Sequence, residues 1–317
     1  MSDNCQGGRN RDRDRKRDRR AFRPGMDGQA DQALESRFML STASVSIQTL
    51  PLGPVPLGNT TQIQARVAFG GKIAKIRDTD LELYNVDLLG NGRIRAMPMS
   101  GGRVELIVDG SDANTIIAVD PVGRKFHKGT AHIFPPRAAL GDNLLHIGAI
   151  KVTSGKIGQI LAYQTADLSG PITVVGTAPV DRIAFFSYKP GASIVTGGDL
   201  NTLDSFNNLS LGGGPGIAIG RDLNWMFVGG NLSIGAGSSF VVNRDIGLAT
   251  QPAKGTDTGG VGAHIEGNLT IQPTGSFVVG RSIQNLFLID GAFIGFNHAQ
   301  VAFGASNVFA RAGFLPN

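Results

Sequence analysis

The amino-acid sequence predicts an all-β protein whose main body is a parallel β-solenoid, or β-helix, with coils of about 23 residues. Three observations point there. A unit of that length recurs along residues 194–283. Inside the unit, apolar residues alternate with small or polar ones, the two-residue period of a strand and not the 3.6-residue period of a helix. Gly supplies 45 of the 317 residues and charged groups only 17%, a composition rich in turns.

The chain opens on a basic arm. Residues 1–23 hold nine basic groups (Arg9, Arg11, Arg13, Arg15, Lys16, Arg17, Arg19, Arg20 and Arg23) against Asp3, Asp12, Asp14 and Asp18. Their net +5 equals the charge of the whole chain, and the rest, with 21 basic and 21 acidic groups, is neutral. The pI of 9.6 therefore describes an arm and not a basic domain. A segment this polar buries too little apolar surface to offset its ordering entropy, and it is predicted to be disordered. Nucleic-acid binding is one reading of it, but Asp interrupts the Arg and no aromatic platform is interleaved. A twin-arginine export signal is a second, and Ala21–Gly25 lacks the apolar run it requires. A solvated tail is the third.

Residues 27–40 then read as one short amphipathic helix, with Asp27 as N-cap and Ala30, Ala33, Leu34 and Phe38 on one face. Its end, Leu34-Glu35-Ser36-Arg37-Phe38-Met39-Leu40, follows the Arg-rich stretch. This run resembles the N-terminal motif Leu-Glu-Pro-Arg, any residue, Leu-Leu of large surface and secreted proteins from planctomycete bacteria, and the repeat region resembles a right-handed parallel β-helix. The motif likeness covers about eight residues plus the basic lead-in, with Ser36 in place of the family's Pro and Met39 in place of Leu. The resemblance implies export to the cell surface or beyond it, with residues 1–44 as a sorting arm and Leu34, Glu35, Arg37 and Leu40 as its motif. The residues by themselves leave a cytoplasmic address open, since the single Cys5 says nothing about redox compartment.

Residues 45–140 make a β-rich second division. Pro51–Gly58 reads as a linker, followed by strands at Gln64–Phe69, Leu81–Leu89, Arg93–Met97, Arg103–Val108 and Thr115–Val119 between Gly turns. They fit early coils or a small β-sandwich. Residues 141–317 are the solenoid with a C-terminal cap.

The repeat gives each position a physical task. Asn207–Leu223, Gly230–Ile246 and Gly267–Ile283 align in full, and Ile194–Leu200 aligns with their second half, at steps of 23, 23 and 37 residues. The longest step holds a 14-residue insertion. Ile194, Ile217, Phe240 and Phe277 form one apolar column, and Thr196, Ile219, Val242 and Val279 a second, two residues on. Gly197, Gly220, Asn243 and Gly280 share the next column, where Gly or Asn predicts a turn with positive φ. Leu200, Leu223, Ile246 and Ile283 resume the core. Leu209/Leu211, Leu232/Ile234 and Leu269/Ile271 make a further strand, and stacking turns Asn208, Asn231 and Asn268 into a ladder of amides.

The chemistry-bearing residues are sparse. Asp199, Asp222 and Asp245 form a file beside Arg221, Arg244 and Arg281, read either as a calcium or glycan-cleaving carboxylate file or as a solvated corner of offsetting charges. The Gly-Gly-x-Gly-x-Asp calcium repeat is absent. His127, His132, His146, His264 and His298 show no metal-binding spacing. One Cys excludes an internal disulfide, and no nucleophile elbow or phosphate-binding Gly-Lys loop occurs. The insertion at about 248–262 is expected to project from the stack, with Lys254, Asp257 and His264 as candidate binding residues. Trp225, in Trp225-Met226-Phe227, is core or, if outward, a platform for a sugar ring.

These readings converge on a non-catalytic, surface or secreted, structural or adhesive module. Its expected partner is a polysaccharide or protein of the cell envelope or extracellular space, with no cofactor unless calcium occupies the Asp file. No run of about 18 apolar residues predicts a membrane span. A glycan-active lyase or glycosidase is the alternative class, and nucleic-acid binding through the arm is the second alternative.

Overall fold

The computed structural model describes residues 64–67, 71–79, 82–121, 142–247, 262–302, 304–305 and 307–316. The sorting-motif residues Leu34, Glu35, Arg37 and Leu40, the basic arm, and the insertion residues Lys254 and Asp257 lie outside the described residues.

The fold is an all-β parallel solenoid of about seven coils. Each regular coil contributes three short strands, one to each of three parallel ladders. Ladder A stacks the 149–152 stretch, then Pro171–Val174, Ser193–Thr196, Gly216–Ile219, Ser239–Val242, Ser276–Val279 and Ala299–Val301. Ladder B stacks Gln159–Leu168, Val180–Tyr188, Leu200–Ser205, Leu223–Val228, Gly262–Ile265, Leu286–Leu288 and Val308–Ala310. Ladder C carries Leu209–Leu211, Leu232–Ile234, Leu269–Ile271, Phe293–Ile294 and Phe314–Leu315. In-register pairing places like residues above one another, so the predicted columns are physical. Ile194 pairs with Ile217, Ile217 with Phe240 and Phe240 with Phe277. Every member of that column is buried.

Six antiparallel or mixed strands precede the coils: β1 (Gln64–Val67), β2 (Ile73–Arg77), β3 (Leu83–Leu89), β4 (Arg93–Met99), β5 (Arg103–Asp109) and β6 (Ile116–Pro121). β1, β2, β3 and β6 pair antiparallel in that order, and β4 pairs antiparallel with β5. β5 then starts ladder A beside residues 147–152, and β6 starts ladder B beside residues 159–161. Antiparallel strands thus cover the first edges of two ladders, which otherwise offer unpaired N–H and C=O groups to any passing strand. One hydrophobic core runs from Ala74 to Phe293 through both regions. β2 has no counterpart in the strands predicted from sequence.

The column of Gly197, Gly220, Asn243 and Gly280 corrects a sequence expectation. None of the four has positive φ. The constraint is close approach between coils: a Cβ on Gly220 would sit 2.4 Å from the Gly197 carbonyl oxygen, and one on Gly280 2.1 Å from that of Asn243. The backbone N–H groups here keep the ladder intact through the corner, Gly220 donating to Thr196 O at 2.7 Å and Gly280 to Val242 O at 2.8 Å.

Side-chain ladders fix the other corners. The Asn208 side-chain oxygen accepts the Asn231 N–H, Asn231 accepts from Asn268, and Asn268 from Ala292, each at 2.8 Å. The amides therefore bond to the next coil's backbone and not to one another, which satisfies a peptide group the turn leaves without a strand partner. The Asp file works the same way. Asp199, Asp222 and Asp245 accept the N–H of Asp222, Asp245 and Ser282 at 3.2, 3.1 and 3.0 Å. Arg221, Arg244 and Arg281 pair with the same three carboxylates at 3.3–3.4 Å. The file is a structural ladder.

Candidate functional site

The outer side of ladder B carries an aromatic file. Inward positions of this ladder are taken by Ile183, Leu203, Met226, Ala263 and Leu286, all buried and in register. Alternation then sends the intervening residues outward. In register on successive coils these are Asp204, Phe227, His264, Phe287 and Phe309. Two residues further along the strand, Tyr163, Phe186 and Phe206 occupy the outer side of the earlier coils. Seven consecutive coils therefore each carry at least one ring on this side, the first and last coils standing about 29 Å apart at ~4.8 Å per coil.

The rings form two groups. Phe206, 44% exposed, meets Tyr163 edge-on at 5.3 Å and stacks on Phe186 at 5.6 Å. Phe227 lies 5.6 Å from the His264 ring, and Trp225 lies 6.3 Å from it. Gly229 is set by close approach of the backbones: a Cβ there would lie 2.3 Å from the Phe206 carbonyl oxygen. The far end of the file is Phe309, 50% exposed. The structure thus brings together two residues singled out from sequence, Trp225 and His264, although Trp225 retains only 8% exposure. Met226, between Trp225 and Phe227, is core.

A polar centre interrupts the file. The Arg182 guanidinium, 38% exposed, donates to Asp204 Oδ2 at 2.6 Å and stands 5.9 Å over the Tyr163 ring, within cation–π range. Burial pushes the Asp204 carboxyl up, against the pull of Arg182. Burial likewise pushes the Tyr163 phenol up to about 12, so it stays a donor at neutral pH. Beside the file runs a ladder of amides and carboxylate: Gln159 donates to Asp181, Asn201 to Asp181 at 3.3 Å, and Asn224 to Asn201 at 2.8 Å.

Two other clusters hold perturbed titratable groups. At the C-terminal ends of the first two ladder B strands, buried Asp167 accepts from Ser187 at 2.6 Å and pairs with Lys189 at 3.3 Å and His146 at 3.6 Å. Burial opposes ionisation of Asp167, but those partners outweigh it and hold the carboxyl below its ordinary 3.8. His146 is raised above 6.5 by its hydrogen bond to Asp167 and by Asp142. Ser187 donates to the carboxylate and not to the imidazole, so the trio has no nucleophile–base contact. On the antiparallel strands, Asp87 and Asp120 are diagonal neighbours on β3 and β6. Burial raises both, and Asp120, with the charge of Asp87 adding, reaches about 6.

A pH optimum follows. His146 contributes fully below 6.5, and its contribution is lost as pH rises through its higher folded value. The Asp167 contribution is complete above 3.8 and is lost as pH falls through its lower folded value. Asp120 is raised, so its penalty appears as pH climbs from 3.8 through about 6. Thermal unfolding should therefore give the highest Tm near pH 4, and Asp120→Asn should flatten the decline from about pH 4 to 6. A Tm that rises from pH 5 to 8 would contradict this assignment.

Among the described residues no group of His, Cys, Asp and Glu is arranged to hold a metal ion, and no helix is long and apolar enough to cross a membrane. Comparison with protein-family models, with curated proteins and with solved structures gives no match to this chain.

Proposed function

We propose that the protein is a non-catalytic cell-surface or secreted module, structural and adhesive, that presents the aromatic file of ladder B to an extended polymer of the cell envelope or extracellular matrix. The observation that carries this reading is a ring on every coil along one side of a stack fixed by side-chain ladders. Binding surfaces of solenoids are extended because each unit repeats the last, and rings on successive coils offer stacking platforms along an extended ligand. The carboxylates of the Asp file favour binding over catalysis, since each is engaged by an N–H and an Arg of the next coil. The address rests on the likeness of Leu34–Leu40 to the planctomycete sorting motif.

The purified chain is expected to sediment with insoluble envelope material from its own cells, and a Phe206→Ser, Phe309→Ser double variant to stay in solution. Fractionated cells should yield the protein in the envelope or medium, shortened by about 43 residues at its N-terminus if residues 1–44 act as a sorting arm. Equal sedimentation of the variant would overturn the role of the file, and cytoplasmic recovery with the arm intact would overturn the address.

A glycan-cleaving reading is favoured by one observation, the Asp87–Asp120 pair, in which one carboxyl titrates near 6 beside a second carboxylate. It requires the wild type to release reducing ends from a polysaccharide and Asp120→Asn to release none.

A further inference from the structure

The structure assigns the Tyr163–Arg182–Asp204–Phe206 centre to a neutral sugar ring: we propose that the polymer held by the aromatic file is an uncharged polysaccharide, stacked on Phe206 and read through its hydroxyls by Arg182. The inference rests on the adhesive reading and adds the chemical class of the ligand.

Charge decides between ligand classes. An anionic polymer is captured by cations free to meet it. Every arginine of the described coils is instead matched by an aspartate: Arg182 by Asp204, Arg221 by Asp199, Arg244 by Asp222, Arg281 by Asp245 and Arg311 by Asp290. Along the file itself the pair Arg182–Asp204 cancels, and Glu266 adds negative charge that acts on Tyr163. Along the file the paired arginines therefore offer an acidic chain no free cation, and the exposed Lys151 and Lys156 stand on the first coil, before the strand that carries Tyr163.

Its hydrogen-bonding capacity survives that cancellation. A guanidinium has five N–H donors. Arg182 contributes only Nε and one terminal nitrogen to Asp204, both at 2.6 Å, and remains 38% exposed at the side chain. The guanidinium stands over the Tyr163 ring, which in turn meets the exposed Phe206 edge-on. A sugar has the matching anatomy: C–H groups on its faces to lie against a ring, and hydroxyls on its rim to accept from a guanidinium. A second copy of this chain would bring its own paired arginines and leave the Arg182 donors unmatched.

The test uses the full chain and two soluble probes, a neutral β-glucan and polygalacturonate, in affinity electrophoresis at low and high salt. Retardation by the β-glucan alone, insensitive to salt and weakened about tenfold in Phe206→Ser, is the expected result. Phe206 is exposed, so its replacement leaves the core intact. An Arg182→Gln, Asp204→Asn double variant, which keeps the site uncharged, should also weaken retardation, while its unfolding curve reports any loss of fold. Salt-sensitive retardation by polygalacturonate, with none by the β-glucan, would overturn the inference and leave the adhesive reading standing. So would failure of both probes where the chain still sediments with envelope material. Concentration-dependent dimerisation abolished by Phe206→Ser, without retardation by either probe, would assign the file to self-association and overturn it too.

Discussion

Replacing Phe240 by Ala is expected to lower the stability of the coils by about 3–5 kcal/mol, the range for emptying a buried aromatic site. Phe240 is fully buried in ladder A, and its ring stacks on that of Phe277 with centroids 5.2 Å apart and planes at 22°. The column reads Ile194, Ile217, Phe240, Phe277, so two large rings occupy successive coils where earlier coils hold Ile. Removing one ring opens a void against the other, and flanking strands bonded on both edges have little freedom to collapse into it. The effect also spreads. A coil buries its apolar face only against its neighbours, so a defect here uncouples the coils on either side. Phe240→Leu, which retains most of the volume, should cost under about 1.5 kcal/mol. Urea unfolding can be followed by the fluorescence of Trp225, the only Trp in the chain, on the coil just before. If Phe240→Ala and Phe240→Leu shift the midpoint equally, the stacked pair is not what holds these coils.

The regular half of the fold was legible because its signal is local and repeated. Apolar columns at Ile194 and Leu200, the Asn208 ladder and the Asp199 file all follow from spacing, since in-register stacking turns spacing into contact. The antiparallel strands were less legible. β2 is five residues long with outward Lys75 and Arg77, and its partners lie in β1 and β3 and not at a fixed period. The aromatic file was illegible for a different reason. Its rings shift by two positions at Gly229, and the insertion separates Ile246 from His264, whereas Leu223 and Ile283 stand four residues before Phe227 and Phe287. Only strand pairing restores His264 to the place between those two rings. Trp225 and His264 were therefore singled out for unconnected reasons, and their proximity is a property of the fold.

The glycine columns show where repeat logic alone misleads, and Gly216→Ser is the substitution that tests it. Gly216 pairs with Ser239, which pairs with Ser276, and Ser193 opens the equivalent strand one coil earlier. By alignment, Ser at position 216 is the consensus and should be harmless or stabilising. The backbone says otherwise. Gly216 has φ +84°, and a Cβ there would lie 1.9 Å from the Ser239 carbonyl oxygen and 2.8 Å from its nitrogen. Holding a non-Gly residue at such a φ costs about 1–3 kcal/mol, and displacing a ladder strand to relieve the overlap adds a comparable amount. Gly213→Ser separates the two terms, because Gly213 has φ +68° but no heavy atom within 4 Å of the added Cβ. Both variants should lose stability in urea, with Gly216→Ser losing roughly twice as much as Gly213→Ser. Equal losses would mean that backbone conformation alone selects Gly at 216. A stable Gly216→Ser would mean that the Ser column extends through this coil and that the coil relaxes to accept it.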